Sequence, residues 1–325
     1  MTTPSHTPVL LREVLSALNP QRGQTYLDCT AGLAGHAAAI APLLGPTGTA
    51  ILCDVDPANL AHAAARLRSL PDPPGVVELR GNFVDAPRRL AELGLRADLL
   101  LADLGFSSNQ MFDPSRGLSF SADGPLDMRL DPASPTTAAD LVNTLPESEL
   151  VRIIRDFGEE PAARAIARKL VAERAAAPIS NTFRLAAIIR SAVAQSPGRR
   201  PRVGTRIDPA TRTFQALRIA VNDELGCLGA LLESVERAAA QMRSAGTRAG
   251  FQWLAPGARL AFISFHSLED RLVKQSFGEL LARGLAAEIT RKPIEPGEDE
   301  VRANPRSRSA RLRWARLAGD FPADL

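Results

Sequence analysis

Cysteine, histidine, lysine and tyrosine are all scarce in this chain. Its 325 residues include three Cys, four His and one Tyr, and only three of the 39 basic residues are lysine, so 36 are arginine. A small, odd number of cysteines argues against a disulfide framework. With no Cys-x-x-Cys pair and little histidine, no metal site is expected. We therefore predict free thiols and no bound metal.

Long apolar runs are also absent. No stretch approaches the roughly 20 apolar residues that cross a bilayer. The N-terminal segment lacks the basic and apolar parts of a signal peptide. We therefore expect a cytoplasmic protein with no membrane partner. Hydrophobic residues at 45% and charged residues at 23% are typical of a globular chain. The length predicts two domains, or one large domain with an insertion.

Strands and helices alternate through the first third of the chain. Short apolar segments predict four strands, at Thr25–Asp28, Thr49–Cys53, Val76–Leu79 and Ala97–Ala102. Segments with helical spacing separate them, at Gly35–Leu44, Pro57–Leu70 and Ala86–Leu93. Because the strands are apolar almost throughout, they predict a parallel sheet covered on both faces.

This alternation is then interrupted. A segment rich in Gly, Pro, Ser and Asp spans Gly105–Ser134, and a loop of that length is usually functional. Helical spacing follows as far as Gln195. One long helix is predicted over Thr211–Ser244, with possible breaks at Gly226 and Gly229.

Strand character returns near the C-terminus. We expect a strand at Arg259–Phe265, a helix at Ser267–Ala282, and a closing antiparallel pair at Ala287–Thr290 and Leu312–Leu317. The sequence therefore predicts an α/β fold. Residues 1–112 and 213–325 form a Rossmann-like domain, and residues 113–212 form an inserted, all-helical substrate-recognition domain.

A glycine-bearing turn and an acid follow the first two predicted strands, at the edge where open α/β sheets bind ligands. Gly32 and Gly35 allow the backbone to turn tightly toward a ligand. Asp54 ends the second strand, where a carboxylate can accept both hydroxyls of an adenosine ribose. Asp56 competes for that role but lies farther from the strand end. An exposed loop acid is the alternative interpretation.

The third and fourth strands add two more candidates. Phe83 can lie against an adenine ring or belong to the core, and Asp103 ends the fourth strand. Together these features predict a pocket for an adenosine-containing cofactor. Because the third glycine of a dinucleotide-binding loop is missing after Gly35, they favour S-adenosylmethionine over NAD.

Several separated motifs match one known family. In chain order they are His6–Leu11, Asp28–His36, Asp103–Gln110, Arg116–Phe120, Gly124–Arg129, Gly158–Glu160, Pro209–Ile219, Val221–Leu225, Ser264–Arg271 and Asn304–Ser309. They span nearly the whole chain in the family's order. The chain resembles the bacterial 16S ribosomal RNA cytosine-N4 methyltransferases, the small-subunit methyltransferase H family.

The resemblance implies S-adenosylmethionine-dependent methylation of the exocyclic amine of one cytidine in the decoding region of small-subunit rRNA. The implied partner is 16S rRNA within the assembled subunit, and the oligomeric state stays open between monomer and homodimer. The implied cofactor contacts are Ala34, Gly35, His36, Asp54, Phe83, Asp103 and Gln110.

The chain departs from the family pattern at two positions. Ala34 stands where the family usually has glycine, and it can offer its backbone N–H to a ligand provided that its φ is negative. Asp208 stands where the family usually has histidine, which weakens any catalytic role for that side chain.

Asp103 and His266 are the candidate catalytic residues. Asp103 occupies the position where many amino methyltransferases carry Asp/Asn-Pro-Pro-aromatic, so it either orients the target amine or holds the methionine end of the cofactor. His266 is either catalytic or structural, because no Gly-x-Ser-x-Gly elbow accompanies it. Asp127 and Arg129 either shape the cytosine pocket or form a structural ion pair.

Two arginine clusters are candidates for RNA contact. The first covers residues 199–218 and includes Arg212 and Arg218; the second covers residues 302–316 and includes Arg306 and Arg308. Spaced arginines suit a phosphate backbone, although a solvated charged face is the alternative.

Two other function classes remain open from the residues alone. An NAD-dependent oxidoreductase would need the missing third glycine. A non-catalytic RNA-binding module would not need the glycine turn, Asp54 and Asp103 together.

Overall fold

The chain divides into two compact units. A computed structural model describes residues 8–195, 208–245 and 251–319. One unit comprises Met1–Gly105 and Leu225–Leu325, and the other comprises Phe106–Glu224. The insert predicted at residues 113–212 lies within the second unit.

The first unit contains a seven-stranded sheet. Its strands are β1 (Thr25–Asp28), β2 (Thr49–Asp54), β3 (Gly75–Arg80), β4 (Ala97–Asp103), β5 (Leu254–Ser264), β6 (Ala286–Ile289) and β7 (Arg311–Leu317). Their order is β3-β2-β1-β4-β5-β7-β6. Strands β1 to β5 pair with one another in parallel, and β7 is antiparallel to both β5 and β6. The predicted Rossmann-like α/β fold and the closing antiparallel pair are confirmed.

Thirteen helices occur in the described ranges. They are α1 (Leu11–Leu18), α2 (Gly35–Leu44), α3 (Pro57–Arg68), α4 (Ala86–Leu93), α5 (Ser108–Phe112), α6 (Ala138–Thr144), α7 (Glu147–Asp156), α8 (Ala163–Ala176), α9 (Thr182–Ala194), α10 (Ala210–Asn222), α11 (Glu224–Ala245), α12 (Ser267–Ala282) and α13 (Glu298–Ala303).

Helices cover both faces of the sheet, as its apolar strands require. Helices α1, α2 and α3 bury residues such as Leu18, Ile40 and Leu67 against one face. Helices α4, α11 and α12 cover the other face, where Phe277 of α12 meets Phe262 of β5 edge to face. Sheet order reverses between β1 and β4, and ligands of open α/β sheets bind at the carboxyl ends of the strands there.

The prediction of one long helix over Thr211–Ser244 is wrong, because two separate helices, α10 and α11, occupy this range. The break falls at Asp223, which has a φ of 48°, and not at Gly226 or Gly229. The side chain of Asn222 holds the end of α10 in place: Nδ2 donates to the carbonyl of Met128, and Oδ1 accepts the N–H of Leu130. Aspartate tolerates the left-handed conformation better than most residues, so the chain turns there.

The second unit packs five helices, α6 to α10, around its own core. Phe214 of α10 lies edge to face with Phe120, with 4.8 Å between the ring centroids. Gly124 sits beside α9, where its carbonyl accepts the N–H of Thr182 at 3.0 Å. A Cβ at Gly124 would lie 1.9 Å from the carbonyl oxygen of Pro114. Only glycine fits this position without moving the backbone.

Gly124→Ala should therefore destabilise the protein by about 3 kcal/mol or more, because backbone atoms must shift to admit the methyl group. Gly229→Ala is the matched control, since a Cβ there meets nothing within 4 Å inside α11. The control should gain about 0.5–1 kcal/mol from helix propensity. Urea denaturation of both variants checks the pair, and equal stabilities would contradict the packing described here.

Candidate cofactor and active site

Three aspartates end three neighbouring parallel strands. Asp28 ends β1, Asp54 ends β2 and Asp103 ends β4, and β1 lies between the other two strands. Register places Asp28 opposite Leu52 of β2 and Leu101 of β4. The three carboxyl groups therefore gather at one sheet edge, beside the point where strand order reverses.

Asp28 is buried and held by its own strand. The hydroxyl of Tyr26 donates to Oδ2 of Asp28 at 2.8 Å, and the N–H of Thr30 donates to Oδ1 at 3.1 Å. Burial raises the pKa of Asp28 to about 6, although these hydrogen bonds act in the opposite direction. Sequence reasoning assigned no role to Asp28. The available signal was the chain's one tyrosine two residues earlier in the strand, on the same face.

The turn after β1 corrects the expectation for Ala34. Its φ is +57°, not negative, and its N–H donates to the carbonyl of Ala31 at 2.7 Å. The side chain is fully buried, and the N–H is used inside the turn. Gly32, with a φ of +50°, donates its N–H to Oδ2 of Asp54 at 2.8 Å. Gly35 begins α2.

Asp54 and Asp56 have different partners. Oδ1 of Asp54 accepts the N–H of Asp56 at 2.8 Å, whereas Oδ1 of Asp56 caps α3 through the N–H of Ala58. Asp56 therefore starts a helix, and Asp54 remains the strand-end acid. Burial raises the pKa of Asp54 to about 6. A carboxylate has about four lone-pair sites. Gly32, Asp56 and the side chain of Asn59 already donate to Asp54, so about one site remains for a hydroxyl donor.

Phe83 follows β3 and is half-buried. Its ring packs against the core that α4, α11 and α12 form on one face of the sheet. Phe83 therefore belongs partly to the core. The adenine contact remains a prediction.

Asp103 carries an unpartnered buried atom. Within the described parts of the chain, its Oδ1 is buried and has no hydrogen-bond partner. Oδ2 lies 3.7 Å from Nδ1 of His36, and the backbone N–H donates to the hydroxyl of Thr30 at 2.7 Å. Burial raises the pKa of Asp103 to about 8, and the charges of Asp28 and Glu269 add to the effect.

His266 is placed at the start of α12. Its Nδ1 faces the N–H of Glu269 at 3.5 Å and caps the helix, and its Nε2 lies 3.2 Å from Oε1 of Glu269. Oε2 of Glu269 accepts the N–H of Phe265. These contacts favour the structural interpretation of His266, and the catalytic one stays a prediction.

Gln110, Asp127 and Arg129 lie in the second unit. The side chain of Gln110 accepts the N–H of Ser107 at 3.1 Å in a capping box at α5. Arg129 pairs with both carboxylate oxygens of Asp127, at 2.8 and 2.7 Å, and also donates to the carbonyl of Ser134. The pair therefore organises residues 127–134.

The first arginine cluster is only partly described, because residues 196–207 lie outside the described ranges. Arg212 is exposed and donates to the carbonyl of Glu159 at 3.0 Å. Arg218 forms two hydrogen bonds with Glu224, at 2.7 and 2.8 Å, and lies over the ring of Phe106. The structure thus gives Arg218 an intramolecular partner.

The second cluster contains arginines in very different surroundings. Arg313 is 4% exposed and bonded to Asp270, with 2.6 Å between Nε and Oδ1. Arg306 is half-buried, and burial lowers the pKa of its guanidinium. Arg308 is exposed and has no ion-pair partner in the part of the chain that the structure describes. Of the two predicted contact residues here, Arg308 is the more open to solvent.

Cys29, Cys53 and Cys227 are free thiols, as predicted. Of the described helices, none is both long enough and apolar enough to cross a membrane.

Comparison with known proteins identifies relatives along the whole chain. A family model described as the MraW methylase family matches residues 3–318. The Ribosomal RNA small subunit methyltransferase H of Heliobacterium modesticaldum is 44% identical over 328 residues, covering 95% of this chain and 97% of that protein. Proteins of the same name from Acidobacterium capsulatum and Pelobacter propionicus are 45% and 46% identical, with the same coverage.

The fold and these relatives define the class: the chain is an S-adenosylmethionine-dependent methyltransferase. It belongs to the MraW methylase family, and the resemblance drawn from the motifs is confirmed. Family membership excludes the oxidoreductase and the non-catalytic RNA-binding module.

The strand ends fit this cofactor. Oδ1 of Asp103 is an acceptor with no donor in the described ranges, and burial raises the pKa of all three strand-end aspartates. A positive charge beside such carboxyl groups stabilises their ionised forms. The sulfonium and amino groups of S-adenosylmethionine would supply that charge.

Tyr26→Phe should destabilise the protein more at pH 8 than at pH 5. The folded pKa of Asp28 lies above its ordinary value, so stability is lost as the pH rises through about 6. At pH 8 the tyrosine hydroxyl donates to an ionised Asp28, and loss of that hydrogen bond costs about 1.5–3 kcal/mol. At pH 5 the carboxyl group is mostly protonated, and the loss costs about 1 kcal/mol. Urea denaturation measures both values.

In an Asp28→Asn background, the cost of Tyr26→Phe should no longer depend on pH. Equal costs at both pH values in the original background would contradict the role given to the tyrosine hydroxyl.

Proposed function

We propose that this protein transfers a methyl group from S-adenosylmethionine to the exocyclic N4 of one cytidine in the decoding region of 16S rRNA, within the small ribosomal subunit. The observation that carries the proposal is the 44–46% identity to relatives named for small-subunit rRNA, along 97% of their length. The cytidine N4 target rests on the sequence motifs.

Each strand-end residue would contact a different part of the cofactor. Asp54 would accept the ribose hydroxyls, and Phe83 would lie along the adenine ring. Asp103 would face the cationic methionine end, since its Oδ1 lacks a donor among the described residues. His36, Gly35 and Gln110 complete the set that the family resemblance implies.

Catalysis in this scheme is mainly positioning. When bound, the cofactor supplies an electrophilic methyl carbon on its sulfonium. Fixing two reactants in line can contribute roughly 7–11 kcal/mol, so geometry accounts for most of the rate. Cytosine N4 is a weak nucleophile because its lone pair is delocalised into the ring. An acceptor near its N–H strengthens it and removes the proton later, and Asp103 is the candidate acceptor if it reaches the amine.

The substrate must leave its stack to reach the methyl carbon, which needs a grip on the flanking phosphates. Arg308 and Arg212 suit this role, since both side chains are exposed. Asp127 and Arg129, which pair with each other in the second unit, would contact the cytosine base.

Asp103→Ala should abolish methylation. The assay is mass mapping of 16S rRNA from cells that lack the gene, complemented with each variant. Wild-type complementation should restore N4-methylcytidine, whereas Asp103→Ala should leave the cytidine unmodified. Asp85→Ala, which alters an exposed acid paired with Arg88, should restore it fully. Full modification by Asp103→Ala, or a modified base other than cytidine, would contradict the proposal.

Arg308→Ala should weaken binding to small-subunit RNA and lower the magnitude of the salt slope by about 1 if the guanidinium contacts one phosphate. Arg88→Ala is the matched control, because Arg88 is also exposed but is paired with Glu92 at 2.6 Å. Filter binding at several salt concentrations measures both slopes. A slope for Arg308→Ala equal to that of the control would remove Arg308 from the RNA contact.

A further inference from the structure

The segment at residues 8–10 is fixed against the turn that precedes α2. The carbonyl of Val9 lies 2.9 Å from Nε2 of His36, and the N–H of Leu10 donates to Oε1 of Glu300 at 2.8 Å. A Cβ on Gly35 would lie 2.9 Å from Cγ of Pro8. Leu10 itself has a φ of +54°, an unfavourable conformation that its surroundings must hold in place.

The Val9 carbonyl determines which nitrogen of His36 carries the proton. A carbonyl oxygen only accepts hydrogen bonds, so Nε2 must be the donor. In the neutral ring Nδ1 is then unprotonated and able to accept a proton. That nitrogen lies 3.7 Å from Oδ2 of Asp103, and His36 is only 6% exposed. An acceptor nitrogen therefore faces the strand-end carboxyl group.

Asp103 is surrounded by groups that disfavour its negative charge. Burial and the negative charges of Asp28 and Glu269 have this effect, the buried phenol of Tyr26 is neutral, and His36 is the one basic group described beside the carboxyl group. These surroundings raise the pKa of Asp103 to about 8, which favours the protonated carboxyl group at pH 7 in the free protein. One proton can therefore reside either on Oδ2 of Asp103 or on Nδ1 of His36.

We propose that His36 is a positioning residue that takes the proton of Asp103 when a cation binds beside that carboxyl group, and that the Val9 carbonyl makes this possible by keeping the other ring proton on Nε2. The O–H bond at Oδ2 breaks and an N–H bond forms at Nδ1. A carboxylate and an imidazolium result, with no change in total charge. The proposal rests on Asp103 belonging to the cofactor site, as the proposed function has it.

This transfer needs little movement. The two atoms lie roughly 1 Å beyond an ordinary hydrogen-bond distance, which a small side-chain rotation can close. The carboxylate then provides a counterion for the cofactor without releasing a proton to solvent. Affinity for the cofactor should consequently vary little with pH near 7.

Proton release measured with S-adenosylmethionine tests the proposal. Titration calorimetry at pH 7 in two buffers of different ionisation enthalpy gives the number of protons exchanged. The wild-type protein should exchange almost none. His36→Asn, which cannot take up a proton, should release most of one proton per cofactor, because the carboxyl group of Asp103 then loses its proton to solvent. Asp103→Asn combined with His36→Asn should again release almost none.

Release of about one proton by the wild-type protein would overturn the proposal, as would a His36→Asn variant that binds the cofactor without release. A second measurement covers the case in which His36→Asn does not fold. In ¹⁵N spectra of the wild-type protein, Nδ1 of His36 should be unprotonated when free and protonated with saturating S-adenosylmethionine. An unchanged Nδ1 would overturn the proposal.

These outcomes separate the two claims. Binding of S-adenosylmethionine with no change at His36 would contradict only the proton transfer. The absence of any binding by the wild-type protein would contradict the proposed function, and the transfer with it.

Discussion

Desolvation of three carboxyl groups at one sheet edge is the constraint that connects fold and chemistry in this protein. Asp28, Asp54 and Asp103 end adjacent strands, and burial raises the pKa of each of them. Hydrogen bonds from the hydroxyl of Tyr26 and from backbone N–H groups offset part of the desolvation cost of Asp28 and Asp54. Asp103 has the largest shift and, among described residues, an unpartnered oxygen. A cationic ligand at this sheet edge would stabilise the ionised carboxyl groups.

Distant parts of the sequence are needed to build that edge. The Pro8–Leu10 segment reaches His36, the turn after β1 holds Asp54, and Glu269 at the start of α12 adds charge near Asp103. The chain enters the second unit shortly after β4 and re-enters the first unit in α11. The strand end that carries Asp103 is therefore also the point where the inserted unit begins.

Much of this fold follows from local patterns. The bounds of α2, α4 and α12 agree with the predicted helices, because apolar spacing and Gly or Pro boundaries define them. Contacts across the chain were not predictable in this way. The turn at Asp223 depends on Asn222 reaching Met128, and that turn brings Glu224 next to Arg218. The φ of Ala34 and the partner of His36 likewise depend on packing that one sequence does not reveal.

The central claim is that the strand-end aspartates receive the methyl donor. A crystal structure of the protein with S-adenosylmethionine tests it most directly. The account predicts the donor at the carboxyl ends of β1, β2 and β4, with its ribose hydroxyls on Asp54 and its amino end near Asp103. A donor bound elsewhere, or protein side chains filling that edge, would contradict the account.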